Sequence, residues 1–246
     1  MMENRTVKIF SSVEELSNDA AEYLLNKINR IKPGSSLSIA ISGGSTPKKI
    51  FQHIVQNYGD RISWDLIKLF FVDERCVPPD DSESNYKMAN DNLFEPARIN
   101  SENIFRIRGE GDPAEEASRY SKVLKNNVSL KNGAPQFDLI LLGLGEDGHT
   151  ASIFPDQINI FHSNNFCEVA MHPESGQKRI TLTGTVINNA KVLVFIVTGI
   201  NKAKIVLELL SNKKSELIYP ASLVNPIEGK LIWMLDKVAA QMIERN

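Results

Sequence analysis

Cysteine is nearly missing from this chain: Cys76 and Cys167 are the only two in 246 residues, too few for a disulfide framework and without the spacing of a Cys/His metal site. Such a sequence suits a reducing cytoplasm. No run of about 18 apolar residues occurs, and residues 1–10 alternate polar with apolar side chains instead of forming an export-signal core. Neither membrane spanning nor secretion is expected. Positive charge is not in excess either. A formal net charge of -2 and a pI near 6.1 exclude the basic excess that nucleic-acid binding requires. Any anionic ligand must therefore be met by a few clustered cations. Repeats, low-complexity tracts and long linkers are lacking too, so residues 1–246 are expected to form one domain, as a monomer or in a small homo-oligomer.

What is present is a series of short, mainly apolar runs at 37–41, 69–72, 137–142 and 192–197. Continuous rather than alternating apolarity marks strands buried on both faces, as in a parallel sheet. Between the runs the spacing turns helical. Leu16, Ala20, Tyr23, Leu24 and the residues on to Ile31 fit one amphipathic helix that stops before Pro33-Gly34. Ile50, Phe51, Ile54 and Val55 fit a second, and Asp112-Pro113 opens a third that runs to Leu130 with proline in its first turn. The alternation predicts a doubly wound α/β fold: a mostly parallel, Rossmann-like sheet with helices on both faces and room for a small additional lobe. Ligands of such sheets sit beyond the carboxyl ends of the strands. Residues 77–84, rich in Pro, Asp and Ser, read as a surface loop.

Three loops at strand ends carry unusual chemistry. In Ser42-Gly43-Gly44-Ser45-Thr46-Pro47, Thr46 suits a helix N-cap and Pro47 the first helical position, while the glycines let backbone N–H groups approach a ligand. A phosphate could be cradled there, although an ordinary strand-to-helix turn has the same composition. In Asp73-Glu74-Arg75, the arginine offers a planar fork for phosphate or carboxylate oxygens, and the alternative is a structural ion pair. The third loop, Gly143-Leu144-Gly145-Glu146-Asp147-Gly148-His149, contains a G-x-G-x-x-G with Glu168 at the distance of a ribose-binding acid. Pro155 leaves little room for the long helix a dinucleotide needs, so that reading is set aside. What remains is an imidazole on a glycine-rich turn, two and three residues after carboxylates, able to take a proton from water near neutrality. His53, on the second helix, His162 and His172 have no comparable setting.

Two more cations sit near strand ends. Arg179 opens a strand-like segment, and Lys202 enters a helix N-terminus, where the helix dipole opposes it unless an anion shares the site. Lys204 and the Lys213-Lys214 pair read as solvated.

Together these segments, with Ser84-Asn85-Tyr86 and residues 233–240, resemble the 6-phosphogluconolactonase family, part of a larger fold group that includes glucosamine-6-phosphate deaminase. The resemblance spans nearly the whole chain. It implies hydrolysis of 6-phosphogluconolactone to 6-phosphogluconate in the oxidative pentose phosphate pathway, with a small sugar phosphate as ligand and no metal, nucleotide or other cofactor. It maps the general base onto His149, with Asp147, Glu146 or Asp73 as its orienting partner. Sugar-phosphate contacts map onto Gly43, Gly44, Ser45, Thr46, Arg75, Arg179 and Lys202, and Asp73 falls where the family has an acidic residue in the pocket. The deaminase pattern has a tyrosine where this chain has Arg75 and a glutamate where it has Phe154. Both departures favour the lactonase. A sugar-phosphate sensor of the same fold would need a DNA-binding segment, and the 35 or so residues before the first sheet strand are not basic.

Overall fold

A computed structural model describes residues 5–32, 34–211 and 218–243; Pro33 and the Lys213-Lys214 pair lie outside them. The strands in chain order are β1 (Arg5–Phe10), β2 (Leu37–Ile41), β3 (Ile67–Phe71), β4 (Asp73–Arg75), β5 (Ile104–Phe105), β6 (Leu130–Lys131), β7 (Ala134–Pro135), β8 (Leu139–Leu142), β9 (Cys167–Met171), β10 (Lys178–Leu182), β11 (Val192–Val197) and β12 (Lys230–Asp236). The helices are α1 (Val13–Ile28), α2 (Ser45–Tyr58), α3 (Asn85–Ala89), α4 (Pro113–Asn127), α5 (Gly184–Ile187), α6 (Ala203–Leu210) and α7 (Lys237–Ala240). The fold is α/β and doubly wound. A seven-stranded sheet runs in the order β1-β12-β11-β8-β2-β3-β5, every neighbouring pair parallel. Beside it stands a small antiparallel sheet, β4-β10-β9, the additional lobe.

Alternation along each strand divides the core into two layers. Ile39, Ile41, Leu69, Val194, Ile196 and Met234 share an apolar seam with Leu24 of α1 and Ile50, Phe51 and Ile54 of α2. On the opposite parity, Phe70 stacks on Phe105 and meets Phe137 edge-on. There the buried Tyr120 of α4 bridges β3 and β5, its hydroxyl accepting from the Phe71 N–H at 2.8 Å and donating to the Phe105 carbonyl at 3.3 Å.

Several boundaries differ from the sequence reading, each for a local reason. The first helix ends at Ile28, where the Asn29 N–H closes on the Leu25 carbonyl. The third ends at Asn127 because Val128 is extended, and Leu130 belongs to a hairpin that turns through Asn132 and Gly133, both at positive φ. The run from Phe137 is a strand only from Leu139, since the Phe137 carbonyl is taken by the Lys191 N–H outside the ladder. The run at 69–72 lies two residues earlier at its start and ends at Phe71, and Val72 passes the chain to the second sheet. Among the described residues no helix is long and apolar enough to cross a membrane.

Strand order reverses between β2 and β8. Chain segments leaving β2 wind towards β3 and β5, and those leaving β8 wind towards β11 and β12. The loops after β2 and β8 thus open onto one crevice, the position where this architecture holds ligands.

Candidate active site

The loop after β2 is fastened to β8 by the Ser42 hydroxyl, which donates to the Leu141 carbonyl at 2.8 Å. Gly43 packs against Asn85, where a Cβ would overlap the amide side chain. Gly44, at φ 111°, caps α2. The expectation that Thr46 is the N-cap and Pro47 the first helical residue is therefore corrected: the helix begins at Ser45, because only glycine turns the chain that way at 44, and Thr46 Oγ1 instead hydrogen-bonds Thr198 Oγ1 at 2.7 Å. No side chain caps α2 and its first turn holds no acid. Its leading N–H groups thus keep their partial positive charge for an anion.

The loop after β8 folds back on itself. The Gly145 N–H donates to the His149 carbonyl at 2.8 Å and the Gly148 N–H to the Gly145 carbonyl at 3.2 Å, while Gly148 takes φ +80°. A Cβ on Gly145 would run into the His149 and Asp147 side chains, so glycine there lets the pair lie across the backbone. His149 Nδ1 meets Asp147 Oδ1 at 2.6 Å. Burial works to raise the Asp147 pKa, but the hydrogen bond and charge of His149 outweigh it and hold the carboxyl below its usual value. The other two candidate partners are engaged elsewhere. Glu146 accepts from the Asn201 amide at 2.5 Å. Asp73, 5% exposed, accepts from the Ser152 hydroxyl at 2.6 Å and lies 3.5 Å from the Asn85 amide nitrogen, so its carboxylate faces protein rather than the crevice.

Arg75 and Arg179 are cross-strand partners in the small sheet. Neither forms an ion pair among the described residues, and the Nε atoms of both are buried without a partner. Arg75 spends one Nη on the Glu83 carbonyl at 2.5 Å. Burial, and then the neighbouring Arg75 charge, lower the Arg179 pKa, yet a guanidinium stays charged at any working pH. Two like charges with buried orphan donors form a strong demand for an anion. Glu74, the third member of that motif, is structural. It is buried and accepts from the N–H groups of Arg75, Asn85 and Tyr86 and from the Ser84 hydroxyl, which fixes the start of α3.

Phe154 joins the two halves. Its buried ring lies 4.9 Å from the His149 ring, and the Arg179 guanidinium stands 5.6 Å from its centroid. His172 meets its edge at 5.2 Å. Lys202 sits on a 3-10 turn just before α6. Burial lowers its pKa, against the charges of Glu146 and Asp147, which act to raise it. The structure thus pairs His149 with Asp147, sets Phe154 between His149 and Arg179, and places Arg179 opposite Arg75 in the small sheet. It leaves Asp73 in the wall. After Gly148 the chain makes a bridge between Thr150 and Ile153 and a 3-10 helix at Pro155–Ile160, not the long helix of a dinucleotide site. Among the described residues no three His, Cys, Asp or Glu side chains are placed to hold a metal.

Three contacts are absent from the sequence reading: Phe154 between His149 and Arg179, Asn85 against Gly43, and Tyr219, whose ring packs on Gly148. A polar Asn beside a capping Ser is a weak signal for the second. Nothing local marks Tyr219, which lies about seventy positions from its neighbour.

The model of the family of glucosamine-6-phosphate isomerases/6-phosphogluconolactonase matches residues 11–233. The chain is 42% identical over 184 residues to a 6-phosphogluconolactonase of Treponema pallidum, covering 75% of this chain and 76% of that one. It is 42% identical over 206 residues to one of Haemophilus influenzae, covering 83% and 87%. The crystal structure of the devB protein superposes with a TM-score of 0.92 at 40% identity, covering 97% of this chain and 99% of that chain.

Proposed function

The chain belongs to the family of glucosamine-6-phosphate isomerases and 6-phosphogluconolactonases and is an enzyme of its lactonase branch; from that premise we propose that it hydrolyses 6-phosphogluconolactone to 6-phosphogluconate with His149 as general base. The observation that carries the reading is the 2.6 Å bond between His149 Nδ1 and Asp147 Oδ1, joined through Phe154 to Arg179, which with Arg75 buries an Nε that has no partner among the described residues. An ionised Asp147 holds the proton on Nδ1 and leaves the Nε2 lone pair for water.

Nε2 takes a proton from water as the water oxygen bonds to the lactone carbonyl carbon. The tetrahedral oxyanion then collapses, the bond to the ring oxygen breaks, and the imidazolium returns the proton to that oxygen. Atoms and charge balance without a cofactor. Backbone N–H groups of the glycine-rich loops stabilise the oxyanion. Arg75, Arg179, Lys202 and the amides of residues 43–46 hold the phosphate, and this remote grip orients the carbonyl over His149. Phe154 cannot ionise, so a second carboxylate that would serve an isomerising deaminase is missing from beside the imidazole. The reaction places the protein in the oxidative pentose phosphate pathway.

Purified protein is tested on freshly generated 6-phosphogluconolactone and on glucosamine 6-phosphate. Lactone opening should far outrun buffer, with no ammonia released. His149→Ala should remain folded and lose on the order of a hundredfold or more in kcat. Ammonia release with lactone opening no faster than buffer would overturn the activity, and a folded His149→Ala with unchanged kcat would overturn the base.

A further inference from the structure

The turn that carries His149 is gripped from outside by a segment with no part in the chemistry above. Gly148 precedes His149 at φ +80°, and a Cβ added to it would stand 2.7 Å from Tyr219 Cγ and 2.8 Å from its Cβ, so the tyrosine side chain lies directly on the glycine backbone. Two residues on, the Ala221 N–H donates to the Gly148 carbonyl at 3.0 Å. The far end of the same tyrosine donates its hydroxyl to the Glu208 carboxylate on α6, the helix that follows Lys202. One side chain therefore spans from the His149 turn to the helix behind the Lys202 cation.

Glycine is the residue least restrained by its own sterics. A left-handed glycine immediately before the imidazole is a pivot: a change at Gly148 swings His149 relative to a carbonyl held by the phosphate some distance away. Misplacement by about 1 Å can cost on the order of a hundredfold in rate. We propose that Tyr219 is a positioning residue for His149, its ring walling in Gly148 and its bond to Glu208 fixing the ring. This rests on the reading of His149 as the base. A residue serving only the core would lower thermal stability and leave the per-molecule kcat of the folded enzyme unchanged.

The test compares Tyr219→Ala, Tyr219→Leu and Tyr219→Phe in the wild-type and His149→Ala backgrounds, with thermal melts alongside steady-state kinetics. In the wild-type background the Ala and Leu variants should lose about tenfold in kcat with KM within about twofold. Tyr219→Phe keeps the wall and loses only the Glu208 bond, so it should stay within about threefold. In the His149→Ala background the same changes should lower the residual kcat no further, because the group being positioned is gone. Equal losses in both backgrounds, an effect on KM alone, or wild-type kcat in the Leu variant would overturn the proposal. Should Tyr219→Ala not fold, the Leu and Phe variants decide. Failure of the base itself reads differently, as a His149→Ala enzyme with full kcat.

Discussion

Arg75 and Arg179 show how a site can be written into donors left without partners. Each buries an Nε with no acceptor, and a buried unsatisfied donor costs about 1–3 kcal/mol. In the proposed reading, the substrate phosphate supplies the missing acceptors. A hydrogen bond to a charged group contributes about 1.5–3 kcal/mol. Arg179→Ala should therefore raise KM, and the inhibition constant of inorganic phosphate, by roughly 10- to 100-fold with a smaller effect on kcat. Arg179→Lys should restore little, since an ammonium lacks the planar fork. Unchanged phosphate inhibition in Arg179→Ala would remove this residue from the anion site. At this scale the sequence is most legible where chemistry and backbone signal coincide, as on the loop after β8, where His149 directly follows the positive-φ Gly148 and meets Asp147. It is less legible at Asp73, whose carboxylate accepts from the Ser152 hydroxyl, 79 positions away, while the Asn85 amide donates to its main-chain carbonyl.

Elements buried on both faces were the most legible. β2 and β11 coincide with their apolar runs residue for residue, because every position in each is buried and Ser38 is the one polar residue among them. The β4-β10-β9 sheet was not resolved beyond a possible lobe, since β4 has only three residues and pairs across more than a hundred positions of chain. α2 is legible as a helix but not in its cap: Gly44 turns the chain into the helix, and Thr46 is drawn instead to Thr198, 152 positions away. α4 shows the opposite case, a start set by its own residues. Asp112 accepts from the Ala114 and Glu115 N–H groups, both at 3.0 Å, with Pro113 in the first turn. Asp112→Ala should cost about 1 kcal/mol in urea unfolding and leave kcat and KM unchanged, because α4 supplies no residue to the crevice. A loss of activity in the folded variant would show that α4 couples to the site.

For the molecule as a whole, stability against pH is shaped by carboxylates displaced in opposite directions. A two-bond grip from Arg106, at 2.9 and 2.7 Å, holds Glu110 down at about 2 from an ordinary 4.5. A depressed acid stabilises the fold above its unfolded pKa, and that contribution fades as pH falls from about 4.5 to about 2. Glu110 is 37% exposed in its side chain, so solvent screening keeps the contribution well under about 1 kcal/mol. Burial pushes Glu74 up against its hydrogen bonds, and its contribution runs the other way, present below 4.5 and lost as pH rises through the raised value. Glu110→Gln should be slightly less stable than wild type at pH 7, with the gap closing below pH 4.5. A gap independent of pH would mean that the Arg106 pair has no energetic weight.

The order of the large sheet also carries a timetable. β1 lies at its edge and pairs with β12 alone, so the first described strand to leave a ribosome must wait for the last. At roughly 5–20 residues per second that delay is on the order of 10 to 45 s. Throughout it, the backbone edge of β1 and the side chains of Val7 and Ile9, still 39% and 38% exposed in the finished fold, are open to any other strand. The nascent chain is thus most vulnerable to mispairing at the end farthest in time from completion, while its catalytic loops are still being made.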